Sequence, residues 1–422
     1  MSAIVLAAGR GGGDTLARMR DDDPRLRAIS LGAALALPLL LAGCRDSKGG
    51  PNAPKLVPSA LAASGCSGPD QVFVPPPLPS AVPLAALAID PWSQVTAAGD
   101  AELLFATGAG ATVVAIDVSG AAPVETVLVS PGTVDALLAG AAVPGPARLS
   151  GLAVLDAGAL LVVEHASNTL LRVDRLAPEG VSFFAGEPNA VPGFADGFAL
   201  AGQPPTARFS FGSPTQVAAT AGADKAIFVA DPGNHAVRKL SLNPPSAVYF
   251  VSTLAGSGAP FFSDGSLQQA GFDTPSGLSL TCSGTLLVSE SGAAGAGGHR
   301  LRQIVLGVPS FFGPSGNVLT RAGDGTQATL QGNGTSAALA APRSPLATKG
   351  SDTYWLDSAS GILRRMGGAQ DQVDCPLWPD CASAVAAGGD FTPGAALSLT
   401  QTPAGVLFVL DPDAATLWRV TP

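Results

Sequence analysis

An apolar strand that ends in an acidic residue, a short turn, and a second apolar strand that carries an arginine recur along this chain. Successive acidic residues are 67, 59, 67 and 54 positions apart. A unit of this size offers a few short strands that cannot bury both faces of their sheet alone. Similar sheets stacked around an axis bury one another, so the repeat predicts an all-β propeller. The acidic residues are Glu164, Asp231, Glu290, Asp357 and Asp411, and the arginines are Arg172, Arg238, Arg302, Arg364 and Arg419.

Six copies of this unit predict a six-bladed β-propeller. The first copy, Leu103 to Ile116, is degenerate and lacks the acidic residue, and the last copy stops at Val420 without an outer strand. Because an unpaired strand edge invites aggregation, the last blade needs a strand from elsewhere in the chain. We expect Val72 to Val74, which precede the first predicted inner strand at Pro83 to Ile89, to pair with Thr416 to Val420 and close the ring.

The acid and the arginine of each copy lie on adjoining strands beside the turn that connects them. There they can pair with each other or bind the amide groups of the turn. Seven or eight residues separate them in four copies, and twelve in the copy with the longest turn. Since the repeat itself accounts for their positions, we interpret all ten as structural residues and predict no catalytic residue.

A second signature lies between the copies. It occurs as Ala185-Gly186, Asp196-Gly197, Ala207, Phe209 and Pro214, and again as Ala255-Gly256, Asp264-Gly265, Ala270, Phe272 and Pro275. Together with Asn234-His235, which matches the start of the family's naming tripeptide, these residues make Pro83 to Pro422 resemble NHL repeats. The resemblance implies a propeller of four-stranded blades that acts as a non-enzymatic binding or scaffold module.

The alternative function is that of an enzyme, because some propellers related to NHL proteins resemble lyases, lactonases or strictosidine synthases. Such lyases hold a metal ion with histidines around the central channel, and a catalytic zinc site needs three protein ligands. The chain has three histidines, His165, His235 and His299. His235 and His299 each precede an arginine of the repeat by three residues, so the repeat explains their positions. We therefore predict no metal site and no cofactor.

The amino-terminal part carries features of an export signal. Ala28 to Leu41 is an apolar run preceded by arginines, shorter than the roughly 20 residues that span a bilayer and typical of a signal peptide. Leu41-Ala42-Gly43-Cys44 follows and resembles the lipobox of bacterial lipoproteins, which implies that Cys44 becomes the lipidated amino terminus. Met19 would begin a signal of ordinary length, so the start codon lies at Met1 or at Met19.

The predicted organisation is a signal peptide at 1–43, a lipid-anchored linker at 44–70 and the propeller at 71–422. The linker is rich in proline, glycine, serine and alanine without sustained periodicity, which is typical of a disordered tether. The protein is expected outside the cytoplasm on the cell envelope, with a protein or another envelope component as its ligand. Its 23 basic residues face 32 acidic ones, which argues against nucleic acid as a partner.

The cysteines fit an exported chain. Export favours disulfide formation, and four cysteines remain when Cys44 is set aside. Cys375 and Cys381 close a loop of seven residues and are expected to pair. Cys66 and Cys282 are then left as a second pair by elimination.

The longest irregular segments lead from the outer strand of one blade to the inner strand of the next, over 186–213, 256–274, 323–341 and 367–391. Function in scaffolded folds concentrates on such loops. With the turns between second and third strands they form one face, where we expect a ligand to bind. Trp378 lies in the last segment, outside the repeat pattern, and is the candidate binding anchor. The alternative is that Trp378 packs within its own loop.

Overall fold

The computed structural model describes residues 80–82, 84, 87–99, 101–189, 191–199, 205–220, 225–243, 248–292, 297–307, 315–348, 352–368, 370–378 and 380–420. The predicted signal peptide, Cys44, Cys66 and the rest of the predicted linker lie outside these residues. Within the described ranges, no helix is long and apolar enough to cross a membrane.

Six antiparallel sheets account for the strands, and we call them blades 1 to 6 in chain order. The first strand of the chain, β1 (Ser80–Val82), belongs to blade 6. Blade 1 contains β2 (Val95–Ala97), β3 (Leu103–Gly108), β4 (Thr112–Asp117) and β5 (Val124–Val129), and blade 2 contains β6 (Leu149–Asp156), β7 (Ala159–Glu164), β8 (Thr169–Asp174) and β9 (Val181–Ala185). Blade 3 contains β10 (Gly197–Phe198), β11 (Val217–Ala219), β12 (Ala226–Asp231), β13 (Ala236–Asn243) and β14 (Val248–Gly256).

The other three blades follow the same plan. Blade 4 contains β15 (Gly265–Ser266), β16 (Pro275–Leu280), β17 (Leu286–Glu290), β18 (Arg300–Leu306) and β19 (Gly316–Ala322). Blade 5 contains β20 (Gly332–Asn333), β21 (Pro342–Ala347), β22 (Thr353–Asp357), β23 (Ile362–Gly367) and β24 (Gln372–Asp374). Blade 6 contains β25 (Ser398–Gln401), β26 (Leu407–Asp411) and β27 (Thr416–Val420) in addition to β1.

Short helices accompany two of the blade-to-blade connections. Helix α1 (Thr133–Gly140) lies between blades 1 and 2, and helix α2 (Cys381–Ala386) lies between blades 5 and 6. Three single turns of 3-10 helix are found at Ala109–Ala111, Pro232–Asn234 and Gly334–Ser336. All the remaining regular structure of the described chain is strand, as the sequence predicted.

The blades form a closed ring, which confirms the predicted six-bladed β-propeller. The inner strands β2, β6, β11, β16, β21 and β25 contact one another in that order, and β25 returns to β2. Strand β7 illustrates why the repeat is so apolar, because all six of its residues are buried. Leu160 and Val162 pack toward blade 1, whereas Leu161 and Val163 pack toward blade 3. Side chains alternate between the two faces of a strand, and here both faces are covered by a neighbouring blade.

The ring is closed by a different segment from the one predicted. Ser80, Ala81 and Val82 of β1 pair with Arg419, Trp418 and Leu417 of β27, respectively. Strand β27 thus has β26 on one side and β1 on the other, which leaves no edge for Val72 to Val74. The pairing predicted for Val72 to Val74, residues that lie outside the described ranges, is therefore wrong. Ser-Ala-Val carries a weak strand signal of its own, and the open edge of β27 decides its conformation.

The first inner strand is also displaced from its predicted position. The sequence placed it at Pro83 to Ile89, but the inner strand of blade 1 is β2, at Val95–Ala97. Leu84, Leu87 and Ile89 instead pack into the core between blades 6 and 1. An apolar run that crosses between blades has the same composition as a buried strand, which explains the error.

Four-stranded sheets are found in blades 1, 2 and 6, as predicted, whereas blades 3, 4 and 5 each have five strands. The additional strands β10, β15 and β20 come from the connections that the sequence treated as irregular. Each connection passes along the outer edge of the next blade before it enters the inner strand, and bridges such as Ala195 with Arg208 and Ser263 with Gly271 hold it there. These segments are consequently part of the packed structure.

Candidate functional site at the mouth of the central channel

The repeat arginine of blade 3, Arg238, binds the connection that leads from the outer strand of blade 2 to the inner strand of blade 3. The Arg238 side chain is fully buried, and its Nη1 donates to Asp231 Oδ2 at 3.0 Å and to the Arg208 carbonyl at 3.0 Å. Its Nη2 donates to Asp196 Oδ1 and to the Ala195 carbonyl, both at 2.7 Å. One guanidinium thereby joins the end of β12, strand β13 and the connection. We call this arrangement an arginine clamp.

Blades 4 and 5 contain the same clamp. Arg302 pairs with Glu290 at 3.0 Å and with Asp264 at 2.7 Å, and Arg364 pairs with Asp357 at 2.5 Å. Burial raises the pKa of Asp357 and raises that of Glu290 to about 7, an effect that the paired arginines oppose. The clamps occur in the same three blades that have a fifth strand, because the Arg side chain bonds to the carbonyls of the connection that supplies this strand.

Blades 2 and 6 carry an acid and an arginine without a clamp. Glu164 accepts hydrogen bonds from the Ala166 and Ser167 amides at 2.9 and 2.7 Å, and Asp411 accepts one from the Thr392 amide at 2.7 Å. Within the described chain, neither acid pairs with the arginine of its copy. Arg172 lies instead 3.9 Å from Asp174, with 40% of its side chain exposed.

Strand register explains the difference between the two groups. Asp231 lies opposite Ala236, so Arg238, two residues further on, has its side chain on the face of the acid. Glu164 lies opposite Thr169, so the residue two further on is Leu171, and Arg172 points to the other face. A separation of seven residues therefore gives a clamp and one of eight does not. In blade 4 the separation of twelve reflects a longer turn, since Glu290 lies opposite Arg300.

The histidines of blades 3 and 4 connect neighbouring blades. His235 and His299 end the turns between second and third strands with φ of 47° and 58°. His235 Nδ1 accepts a hydrogen bond from the Thr274 amide, and His299 Nδ1 accepts one from the Ala341 amide, both at 3.2 Å. In blade 2, Asn168 Oδ1 accepts a hydrogen bond from the Phe211 amide at 2.7 Å. The equivalent turns of all six blades end in a left-handed residue, namely Ala111, Asn168, His235, His299, Gly361 and Ala415.

His165 is buried and held as a neutral imidazole. Its Nδ1 lies 2.8 Å from the Phe211 carbonyl, which can only accept, so Nδ1 carries the proton. Nε2 lies 2.7 Å from Ser150 Oγ. Burial lowers the pKa of His165 to about 4, so the ring is uncharged at neutral pH. Among the residues that the structure describes, no group of three or more His, Cys, Asp or Glu side chains is placed to hold a metal ion.

The loop between blades 5 and 6 contains the predicted disulfide. Cys375 and Cys381 are bonded, with their Cα atoms 5.2 Å apart. Trp378 packs against this pair, and its indole Nε1 donates to Asp390 Oδ1 at 2.5 Å. These contacts give Trp378 a packing role within its own loop, as in the alternative interpretation. Cys282 is also disulfide-bonded, and its predicted partner, Cys66, lies outside the described residues.

A small cavity opens where the connections enter the inner strands, and we call it the channel mouth. It measures about 160 Å³, including space open to solvent. Residues from five blades line it, namely Gln94, Pro214, Gln216, Ser276, Gly277, Arg343, Ser344 and Leu397. This end of the ring also carries the turns between second and third strands, because successive strands are antiparallel.

Side-chain amides cross the channel mouth from blade to blade. Gln94 Nε2 donates to the Ala396 carbonyl at 3.1 Å, which joins blade 1 to the segment that enters blade 6. Gln216 Oε1 accepts from the Leu278 amide at 2.9 Å, and its Nε2 donates to Ser344 Oγ, which links blades 3, 4 and 5. The mouth is thus lined by amides, hydroxyls and a single guanidinium among the residues that form it.

Arg343 is the lining residue that sequence reasoning missed. Pro214-Thr215 leads into the inner strand of blade 3, and Pro275-Ser276 and Pro342-Arg343 begin the inner strands of blades 4 and 5. Aligning these starts would have shown a charged residue where the other copies have a hydroxyl. The repeat pattern is defined by the residues that its copies share, and the position of Arg343 is one at which they differ.

The described fold defines this chain as a six-bladed β-propeller, and it is similar to several solved structures. A gluconolactonase from Xanthomonas campestris is 16% identical, with a TM-score of 0.48 over 84% of this chain and 98% of its own. A virginiamycin B lyase from Staphylococcus aureus is 10% identical, with a TM-score of 0.44 over 82% and 98%. A protein of unknown function from Bacteroides thetaiotaomicron is 15% identical, with a TM-score of 0.42 over 66% of this chain and 57% of its own.

This chain thus spans little more than half the length of the Bacteroides protein. No protein-family model and no curated protein matches the sequence. At these identities the structural similarities concern the fold alone.

Proposed function

We propose that this protein is a cell-envelope lipoprotein whose NHL-type propeller is a non-enzymatic binding or scaffold module. Its ligand would be a protein or another component of the envelope. The face with the channel mouth and the turns between second and third strands would bind it. The tether would hold this domain away from the membrane that carries the lipid.

The observation that carries the proposal is that the acidic residues and histidines of the repeat are held in ion pairs and hydrogen bonds within the fold. A channel enzyme needs acidic or histidine side chains that converge on the axis and remain free to bind a metal ion or move a proton. Here Asp231, Glu290 and Asp357 are committed to buried arginines, and His235 and His299 accept backbone hydrogen bonds from the next blade. Their positions support a structural role for the residues that resemble catalytic ones.

The size of the channel mouth also supports binding by a face. Small-molecule sites usually enclose roughly 300–1,000 Å³, whereas the mouth measures about 160 Å³ with its open part included. The mouth is therefore too small to enclose a ligand, and most of a ligand would lie on the surrounding turns and connections.

The binding face can be tested by photo-crosslinking in cells that export the protein. A photoreactive phenylalanine analogue at Val191, in the connection to blade 3, is expected to give a crosslinked product. The same analogue at Leu176, on the opposite face of the ring, is the matched control, because the two residues are 76% and 80% exposed. Crosslinks from Leu176 alone, or equal yields from both positions, would count against the proposed face.

The lipid anchor has its own test. Cells supplied with a radioactive fatty acid should label the wild-type protein, because a lipobox cysteine receives acyl chains. The variant Cys44→Ser should lose the label and leave the membrane fraction, whereas Cys375→Ser, which removes a cysteine from the propeller, should keep it. A Cys44→Ser protein that remains labelled would rule out this anchor.

A further inference from the structure

Arg343 stands where the chain that enters the inner strands of blades 1 to 4 carries a small hydroxyl residue. The corresponding residues of blades 1 to 4 are Ser93, Ser150, Thr215 and Ser276. A guanidinium at this position is not required by the repeat, since four blades are built without it. Arg343 therefore needs an explanation specific to the channel mouth, which its side chain lines.

The backbone around Arg343 is irregular in a way that shapes the mouth. The pairing of β21 with β22 shifts between Arg343 and Leu346, and Ser344 has a φ of 47°, in the left-handed region that a non-glycine residue rarely adopts. The neighbouring strand β16 shifts register between Pro275 and Gly277. A β-carbon on Gly277 would lie 2.9 Å from the Ser344 amide nitrogen, so glycine permits the two irregular segments to meet. Bulges of this kind redirect side chains and are frequent beside functional sites.

The charge of Arg343 is uncompensated. Among the described residues, no carboxylate forms an ion pair with it, in contrast to Arg364 and Arg365 of the same blade. Burial lowers the pKa of its guanidinium, and no acidic group opposes that effect. The residue is only part-buried, so its guanidinium remains open to a ligand in the mouth. An anion there would supply the counter-ion that the described residues lack.

Two hydroxyl groups of residues that line the mouth have hydrogen-bonding capacity that the described structure does not use. The Ser276 side chain is only 1% exposed, and its Oγ has no hydrogen-bond partner within the described structure. Ser344 Oγ accepts from Gln216 Nε2, which leaves the hydroxyl proton of Ser344 free to be donated. The mouth thus combines one guanidinium with hydroxyl donors on two adjacent inner strands.

We propose that the channel mouth binds an oxyanion, a carboxylate or phosphate group, between the Arg343 guanidinium and the hydroxyls of Ser276 and Ser344. A guanidinium presents parallel N–H donors that match two oxygens of such a group. The inference rests on the proposed binding function, because the oxyanion is the end group of the ligand that lies on the surrounding face.

The test is titration of sodium phosphate and of sodium acetate into purified full-length protein, at an ionic strength held constant with sodium chloride. Calorimetry should show saturable binding of one equivalent of at least one of the two anions. Arg343→Met should weaken it by about tenfold or more, as expected for hydrogen bonds to a charged group. Ser276→Ala should weaken it less. Tighter binding of acetate would assign a carboxylate, and tighter binding of phosphate would assign a phosphate group.

Two controls make the result decisive. Arg172→Met removes the same charge from an exposed side chain and should bind as the wild type does. Without either oxyanion, Arg343→Met should melt close to the wild-type temperature, because it breaks no ion pair within the described residues. Absence of saturable binding to the wild type, or equal binding to Arg343→Met, would overturn the oxyanion site. That result would leave the crosslinking test of the binding face unaffected, so the two proposals fail separately.

Discussion

Replacing Arg238 by methionine is expected to lower the free energy of unfolding by about 3–5 kcal/mol, the usual cost of removing one partner of a buried ion pair. The change leaves the fully buried Asp231 without its cation and two backbone carbonyls without their donor. It also frees the connection that the clamp holds along blade 3. Urea-induced unfolding followed by circular dichroism measures the change.

Arg172→Met is the matched control for this clamp variant. Arg172 occupies the third strand of blade 2, but its only ion pair with a described residue is a partly exposed one with Asp174. Exposed pairs contribute about 0–1 kcal/mol, so the control should unfold close to the wild type. The double variant Asp231→Leu with Arg238→Met should recover part of the loss, because no buried charge remains unpaired. Equal destabilisation by Arg172→Met and Arg238→Met would refute the distinction between clamp and non-clamp arginines.

A chain that begins at residue 83 is expected to be less stable by about 2–4 kcal/mol than one that begins at residue 79. The longer chain keeps β1, with three cross-strand pairs that each contribute roughly 0.2–1 kcal/mol, and it keeps Val82, which packs between blades 6 and 1. The shorter chain exposes the edge of β27, so it should also aggregate more readily. Thermal unfolding and light scattering provide the two measurements.

Both chains lack the same preceding residues, so the comparison isolates β1. The full-length variant Ala81→Pro gives an independent version of the test, since proline interrupts pairing within a strand. It should move the unfolding temperature in the same direction as the deletion. If the two truncated chains unfold together and Ala81→Pro melts like the wild type, closure by β1 is not important for stability.

The arginines show what a local sequence pattern predicts about structure and what it does not. Arg172 and Arg238 appear equivalent when each is counted from its acid, at eight and seven residues. Only the pairing of Glu164 with Thr169 and of Asp231 with Ala236 reveals that the two arginines face opposite sides of their sheets. Because side chains alternate along a strand, a difference of one residue separates a buried clamp from an exposed side chain.

The candidate site likewise shows that spacing along the sequence does not predict how distant residues are arranged. Arg343 is visible in the sequence as a departure from the repeat, but its chemical setting is not. That it lines one cavity with Ser276 depends on irregular pairing in β16 and β21, and that no carboxylate of the described residues pairs with it depends on where those carboxylates lie. Both are properties of the assembled blades, so spacing within one strand does not predict them.

The sequence by itself determined the number of blades, the buried second and third strands of each blade and the disulfide between Cys375 and Cys381. These features depend on periodicity and on short separations along the chain, which local physics controls. Only the tertiary structure decided that β1 closes the ring, that three arginines form clamps, and that Arg343 lines the channel mouth without a counter-ion among the described residues. Each of these depends on an edge, a face or a charge supplied by a distant part of the chain, and only the closed ring brings those parts together.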